Sequence, residues 1–214
     1  AVTHGESYLS RAEVDAYIEE LIQQHDFSRP ELEEVLAAAE RRQDIIDLMR
    51  RPAERRLNWH EYRKIFLDEQ RIAGGVEFWQ QNQATLERAE KEYGVAPEVI
   101  VAIIGVETRY GRVTGRHRVV DALMTLAFDY PPRASFFRKE LTQFLLLARE
   151  EGKNPTSLTG SYAGAMGFGQ FIPSSYRNYA VDFDRDGVRD IWQNRTDAIG
   201  SVANYFNRHG WRGA

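Results

Sequence analysis

Apolar side chains recur three and four residues apart along most of this 214-residue chain. No stretch alternates apolar and polar residues over the length of a strand. That period is the helix's own, and it predicts a mainly α protein. Residues 9–25 place Val14, Tyr17, Ile18, Leu21 and Ile22 at helical spacing, with Ser10 as a capping residue and Glu13 in the capping-box position. Ser28 and Pro30 open a second helix that carries Leu32, Val35, Leu36, Ile45, Ile46, Leu48 and Met49. Pro52 interrupts the pattern before a basic helix around Tyr62, Ile65 and Phe66. Gly74 and Gly75 weaken the next run, which continues through Val76, Phe78, Trp79 and Leu86 and reads as core packing. An apolar helix then starts at Pro97 and ends near Gly111. Further helices are expected over 121–128, 132–150 and 197–208. The one strand-like expectation is a small hairpin near Phe183 or Val188.

Composition narrows the function classes. With 43% hydrophobic residues the chain can bury a sizeable core, as one or two domains. Lys and Arg number 28 against 32 Asp and Glu, interspersed, for a net charge of -4, so no nucleic-acid face is expected. No apolar run reaches membrane-spanning length, and no basic segment precedes an apolar one. The chain therefore reads as a mature soluble protein or one whose targeting segment has been removed. Cysteine is absent, which excludes thiol catalysis, disulfides and lipid attachment through cysteine in this chain.

Three segments carry chemistry. In the first, Ile100, Ile103, Ile104 and Glu107 share one helical face, so Glu107 ends an apolar stripe near a helix C-terminus. Lost hydration and the helix dipole both favour its protonated form there. A carboxylic acid kept neutral can protonate a glycosidic oxygen. The alternative is a structural ion pair, with Arg109 or with an arginine from another helix. The second segment, 160–173, interleaves glycines with Ala165, Met166 and Phe168, and leaves Ser161, Tyr162 and Gln170 as polar groups in an apolar setting. A sugar suits such a surface, and tight helix packing explains it equally well. The third, 182–190, places Asp182, Asp184 and Asp186 at the first, third and fifth positions of a calcium loop. Gly187 takes the turn and the Val188 carbonyl the seventh position. The twelfth position holds Gln193, so Asp197 is expected to close the shell. A structural Ca²⁺, replaceable by Na⁺ in a crystal, is the expected ion. The alternative is a solvated acidic turn.

Three runs together resemble the membrane-bound lytic transglycosylase B family, and its soluble pseudomonad members in particular. They are Gly105-Val106-Glu107-Thr108-Arg109-Tyr110-Gly111, residues 164–176 from Gly164-Ala165-Met166-Gly167 to Ser175-Tyr176, and residues 197–206 from Asp197-Ala198-Ile199-Gly200 to Tyr205-Phe206. The resemblance extends over nearly the whole chain and includes Tyr62-Arg63-Lys64. It implies a lysozyme-like helical core with an N-terminal helical domain and a calcium-binding EF-hand-like loop. The N-terminal domain would span 1–95 and the core 96–214, with the calcium loop at 182–197. Because the family pattern continues beyond Trp211, the core is expected to be incomplete at its C-terminal end. The implied reaction is non-hydrolytic cleavage of the β-1,4 bond between N-acetylmuramic acid and N-acetylglucosamine in peptidoglycan, giving 1,6-anhydromuramoyl ends. Glu107 matches the single catalytic acid and base, and no cofactor takes part. Tyr62, Ser161, Met166, Gln170 and Tyr205 match cleft residues, and Asp182, Asp184, Asp186, Val188 and Asp197 match calcium ligands. The implied partners are peptidoglycan glycan strands, with cell-wall synthesis proteins as candidates. The implied location is the periplasm, soluble or outer-membrane-associated in a lipidated form. A noncatalytic peptidoglycan-binding or scaffolding protein is the competing reading.

Overall fold

The computed structural model describes residues 7–51 and 67–211. It is mainly α-helical. Ten helices among the described residues are α1 (Ala12–His25), α2 (Arg29–Ala37), α3 (Gln43–Arg50), α4 (Glu69–Gln81), α5 (Gln83–Tyr93), α6 (Pro97–Thr108), α7 (Val119–Phe128), α8 (Ala134–Glu150), α9 (Pro173–Tyr179) and α10 (Arg195–Arg208). Two strands of two residues each, β1 (His117–Arg118) and β2 (Thr159–Gly160), pair antiparallel. The hairpin expected near Phe183 is not formed, because carboxylates bind the backbone N–H groups of that loop. No helix among the described residues is long and apolar enough to cross a membrane.

The chain divides into two compact units, each made of two stretches. The first combines the residues up to Arg50 with Arg116–Gly164. Its centre is α7, in which every residue from Val119 to Ala127 is buried. The longer α8 packs on it through Phe137, Leu141, Phe144 and Leu147. Helix α1 adds Val14, Tyr17, Ile18 and Leu21 to this unit's core. The expected Ser10 cap is not used. Arg11 occupies the N-cap without a side-chain bond, and the Ser10 hydroxyl donates to the Ser7 carbonyl instead. Ser28 and Glu31 do form a reciprocal capping box at α2.

The single helix expected from Ser28 to Met49 is broken between α2 and α3. Helix α7 satisfies the backbone groups that the break releases. Asp121 accepts from Glu40 N at 2.9 Å, and the Thr125 hydroxyl accepts from Arg42 N at 3.0 Å. Arg118 donates to the Ala38 carbonyl at 2.7 Å and holds Asp121 through two bonds of 2.8 and 2.9 Å. Asp121 is 1% exposed, so this charge is tolerable only while Arg118 pairs with it.

The second unit combines Arg51–Gly115 with the residues from Ala165 onward. Pro97 at the first turn starts α6, where its missing N–H costs no hydrogen bond. The helix packs against α4, α5 and α10, while α10 also contacts α5 and α9. Close packing explains a glycine beside the glutamate: a Cβ at Gly105 would fall 2.5 Å from the Tyr110 hydroxyl. That ring packs on Phe78, and its hydroxyl donates to the Arg71 carbonyl at 2.9 Å.

Asp121→Ala is expected to lower the unfolding free energy by about 3 kcal/mol, because it leaves the Glu40 N–H without its acceptor and the Arg118 charge without its carboxylate. Urea unfolding measures this. A loss below about 1 kcal/mol would mean that solvent replaces Asp121 without difficulty.

Candidate active site and acidic loop

Helix α6 stops one residue after Glu107. Arg109 and Tyr110 both adopt left-handed backbone, at φ 49° and 61°, and Gly111 follows at 86°. Their N–H groups turn back to the helix, Arg109 N to Gly105 O at 3.1 Å and Tyr110 N to Ile104 O at 3.2 Å. Two non-glycine residues in this region are uncommon and strained, and the surrounding contacts hold them there. Glu107 therefore lies in the final turn, where the helix dipole disfavours negative charge. Burial among its neighbours pushes its carboxyl above the usual glutamate range. Among the described residues it has no ion pair or hydrogen bond, so the pair with Arg109 is not made.

Glu107 opens onto a cleft of about 320 Å³. Ile103 flanks it on α6, Gly169, Gln170, Phe171 and Ile172 come from the glycine-rich segment, and Ser175 comes from α9. Helix α10 contributes Val202, Tyr205 and Phe206. Glu107 is the one carboxylate among these lining residues. A tight loop brings Gln170 into place. Met166 and Phe171 exchange two backbone hydrogen bonds of 2.9 Å, and Gln170 takes a left-handed φ of 53° between them. The Gln170 amide nitrogen donates to the Thr114 and Gly167 carbonyls at 3.1 and 3.0 Å, which fixes the side chain and leaves its oxygen free to accept. Tyr205 meets Phe171 and Tyr179 edge-on and stacks on His209, with ring centres 4.0 Å apart. Aliphatic and aromatic walls with a few fixed polar groups suit the apolar faces and hydroxyls of a sugar.

Met166 and Ser161 are not among the residues that line this cleft. Met166 is fully buried, and it serves the loop through its backbone. Ser161 follows β2 in the first unit, where its hydroxyl accepts from Ala163 N at 3.2 Å. Tyr62 lies outside the described residues. The reading of single residues did not pick out Ser175, Phe171, Ile172, Val202 or Phe206. All five sit inside the motifs that carry the resemblance, but periodicity gives them no mark that separates cleft from core.

The acidic loop gathers three of its four expected carboxylate ligands. Oxygens of Asp182, Asp184 and Asp197 lie within 4.8 Å of one another. Asp186 is not in that group, and its carboxylate accepts from Val188 N at 2.8 Å. The EF-hand-like arrangement is thus not evident. The twelfth position is Gln193, and the third carboxylate comes from the first turn of α10 instead. Asp197 is fully buried and accepts from Phe183 N at 2.7 Å and Asp190 N at 2.8 Å. Burial raises its pKa despite those bonds. Asp184 is held below the usual range chiefly by the Asn194 amide, which donates to it at 2.6 Å. Asn194 had no expected role, yet it also caps α10 by accepting from Thr196 N and Asp197 N.

Comparison with known proteins fits this geometry. Residues 10–214 match the family described as Transglycosylase SLT domain. Membrane-bound lytic murein transglycosylase B of Escherichia coli (strain K12) is 47% identical over 97% of this chain, which spans 60% of that protein's length. The crystal structure of soluble lytic transglycosylase SltB1 from Pseudomonas aeruginosa is 58% identical, with a TM-score of 0.92 over 93% of this chain and 67% of that one. Escherichia coli lytic transglycosylase Slt35, solved in complex with calcium, is 50% identical, with a TM-score of 0.89 over 94% of this chain and 64% of that one. These solved structures carry the lysozyme-like helical transglycosylase fold, and this chain shares it. The chain belongs to the SLT-domain transglycosylase family.

Proposed function

We propose that this chain carries the active site of a peptidoglycan lytic transglycosylase with Glu107 as its sole acid and base. The observation that carries the reading is that Glu107 is the one carboxylate among the described residues lining the cleft, unpaired among them and with its pKa raised by burial. Glycosidases that use water or a covalent intermediate normally place two carboxyl groups around the scissile bond. A lone carboxyl suits a reaction whose nucleophile belongs to the substrate. Protonated Glu107 gives its proton to the glycosidic oxygen as the bond from that oxygen to muramoyl C1 breaks. The resulting carboxylate then takes the proton from the C6 hydroxyl as O6 bonds to C1. The product is a 1,6-anhydromuramoyl end, no water is consumed, and Glu107 returns protonated. Gln170 and Tyr205 hold the sugars on this reading, with Ser161, Met166 and Tyr62 as further residues to test. The names of the relatives support the substrate class, and the periplasm is where that substrate lies.

The donor set at the acidic loop fits a hard cation, since Asp182, Asp184 and Asp197 offer carboxylate oxygens alone. Calcium would relieve the repulsion among these three groups and tie the loop to α10. The Asp186 carboxylate and the Val188 carbonyl are candidates to complete the shell. The calcium in the Slt35 structure supports this role, which is structural and separate from the chemistry.

Three outcomes are expected. Purified sacculi yield anhydro-ended muropeptides by mass spectrometry, and Glu107→Gln cuts the rate at least about a hundredfold. Reducing ends would mean a hydrolase, and sugar binding without turnover would mean a binding protein. The second outcome concerns stability. A carboxyl whose pKa is raised by folding favours the folded state only at low pH, and that contribution is lost as pH rises from the ordinary glutamate value through the raised one. Glu107→Gln therefore raises Tm at pH 7, and the difference vanishes below about pH 4. A lower Tm for the variant at neutral pH contradicts this. Third, calcium at about a hundredfold its dissociation constant adds about 2.7 kcal/mol of stability, seen as a rise in Tm. Asp184→Asn weakens that response, and an equal response in the variant would remove Asp184 from the ion's shell.

A further inference from the structure

We propose that Thr108 is a positioning residue for Glu107: its hydroxyl ties the end of α6 to the glycine-rich segment and so fixes where the adjacent carboxyl stands in the cleft. This inference rests on the reading of Glu107 as the acid and base. Glu107 has no side-chain hydrogen bond among the described residues, so its placement comes from its backbone. The backbone there is the last turn of a helix, a place that frays unless something outside the helix holds it.

Thr108 supplies that hold. It is 1% exposed, and its hydroxyl has one proton to give. The Phe168 carbonyl accepts it at 2.8 Å, while the competing carbonyl in its own helix, that of Ile104, lies at 3.2 Å. The same oxygen accepts from Gly111 N at 3.0 Å, which steadies the three left-handed residues after the helix. Phe168 is anchored on its other side by its N–H, which donates to the Ile191 carbonyl at 3.0 Å. Its ring also fills the space above Gly111, where a Cβ would fall 2.1 Å from a ring carbon. Glu107 precedes Thr108, and the cleft residues Gly169 and Gln170 follow Phe168. One hydroxyl therefore joins two cleft walls at positions directly beside their cleft-facing residues.

The test compares wild type, Thr108→Val and Thr108→Ser. Valine keeps the shape and loses the hydroxyl, whereas serine keeps the hydroxyl. On peptidoglycan, Thr108→Val is expected to lower kcat roughly 10- to 100-fold with KM within about twofold, and Thr108→Ser to restore kcat to within about threefold of wild type. Wild-type kcat in folded Thr108→Val, a loss confined to KM, or a serine variant as slow as the valine one would each overturn the proposal. Isotope-edited carbon NMR of the Glu107 carboxyl is the second readout and needs no turnover. Its titration moves toward the ordinary glutamate value in Thr108→Val and stays with wild type in Thr108→Ser, and an unmoved titration in Thr108→Val overturns the proposal. If wild type does not cleave peptidoglycan, the functional reading falls and the carbon titration alone decides the role of Thr108. If Thr108→Val does not fold, Thr108→Cys keeps a weak donor of similar size, and the same pattern is expected on a smaller scale.

Discussion

The end of α6 is the constraint on which the cleft depends. A helix that ran one turn further would carry Arg109 and Tyr110 on in right-handed geometry. Tyr110 would then leave the space beside Gly105 that it fills. The stop is enforced from both sides, by N–H bonds back to Gly105 and Ile104 and by the Thr108 hydroxyl on Phe168 and Gly111. Left-handed backbone at non-glycine residues costs on the order of 1 kcal/mol each, and packed aromatic rings and hydrogen bonds offset that cost here. In return the chain sets a carboxyl at a helix end, against an apolar wall, with no cation paired to it among the described residues.

That placement works against stability. A carboxylate without a partner, partly stripped of water and at the negative end of a helix dipole, is a poor structural element. An arginine beside it would relieve the strain on its ionised form and make it a weaker acid catalyst. Charged groups elsewhere in the chain are paired or hydrogen-bonded. In the acidic loop, backbone N–H groups and Asn194 bind the aspartates, and in the first unit Arg118 neutralises Asp121. The proposed acid role of Glu107 would account for the lack of a paired cation among the described residues.

Much of this was legible in the sequence, and the exceptions have physical causes. Helical periodicity located most helices, because each buries a stripe against a neighbour. It missed the break between α2 and α3, since the groups that satisfy that break, Asp121 and Thr125, stand some eighty residues away in the chain. The β1–β2 pair is too short for alternation to register. Glu107 could be found because a charged residue ending an apolar stripe is conspicuous. Val202 and Phe206 could not, since cleft-lining and core residues follow the same period. Aspartate spacing revealed the acidic loop, yet not that Asp186 would turn to a backbone N–H while Asn194 joined the group. Each unit's assembly from two separate stretches of chain is a long-range property with no local signature.

The central claim is that the nucleophile at the Glu107 cleft is a hydroxyl of the substrate and not water. Digestion of peptidoglycan in heavy-oxygen water tests it most directly, with mass spectrometry of the new muramoyl ends. The account predicts anhydro ends that carry no heavy oxygen at any stage of the digestion. Heavy oxygen at C1 of the initial product would contradict it.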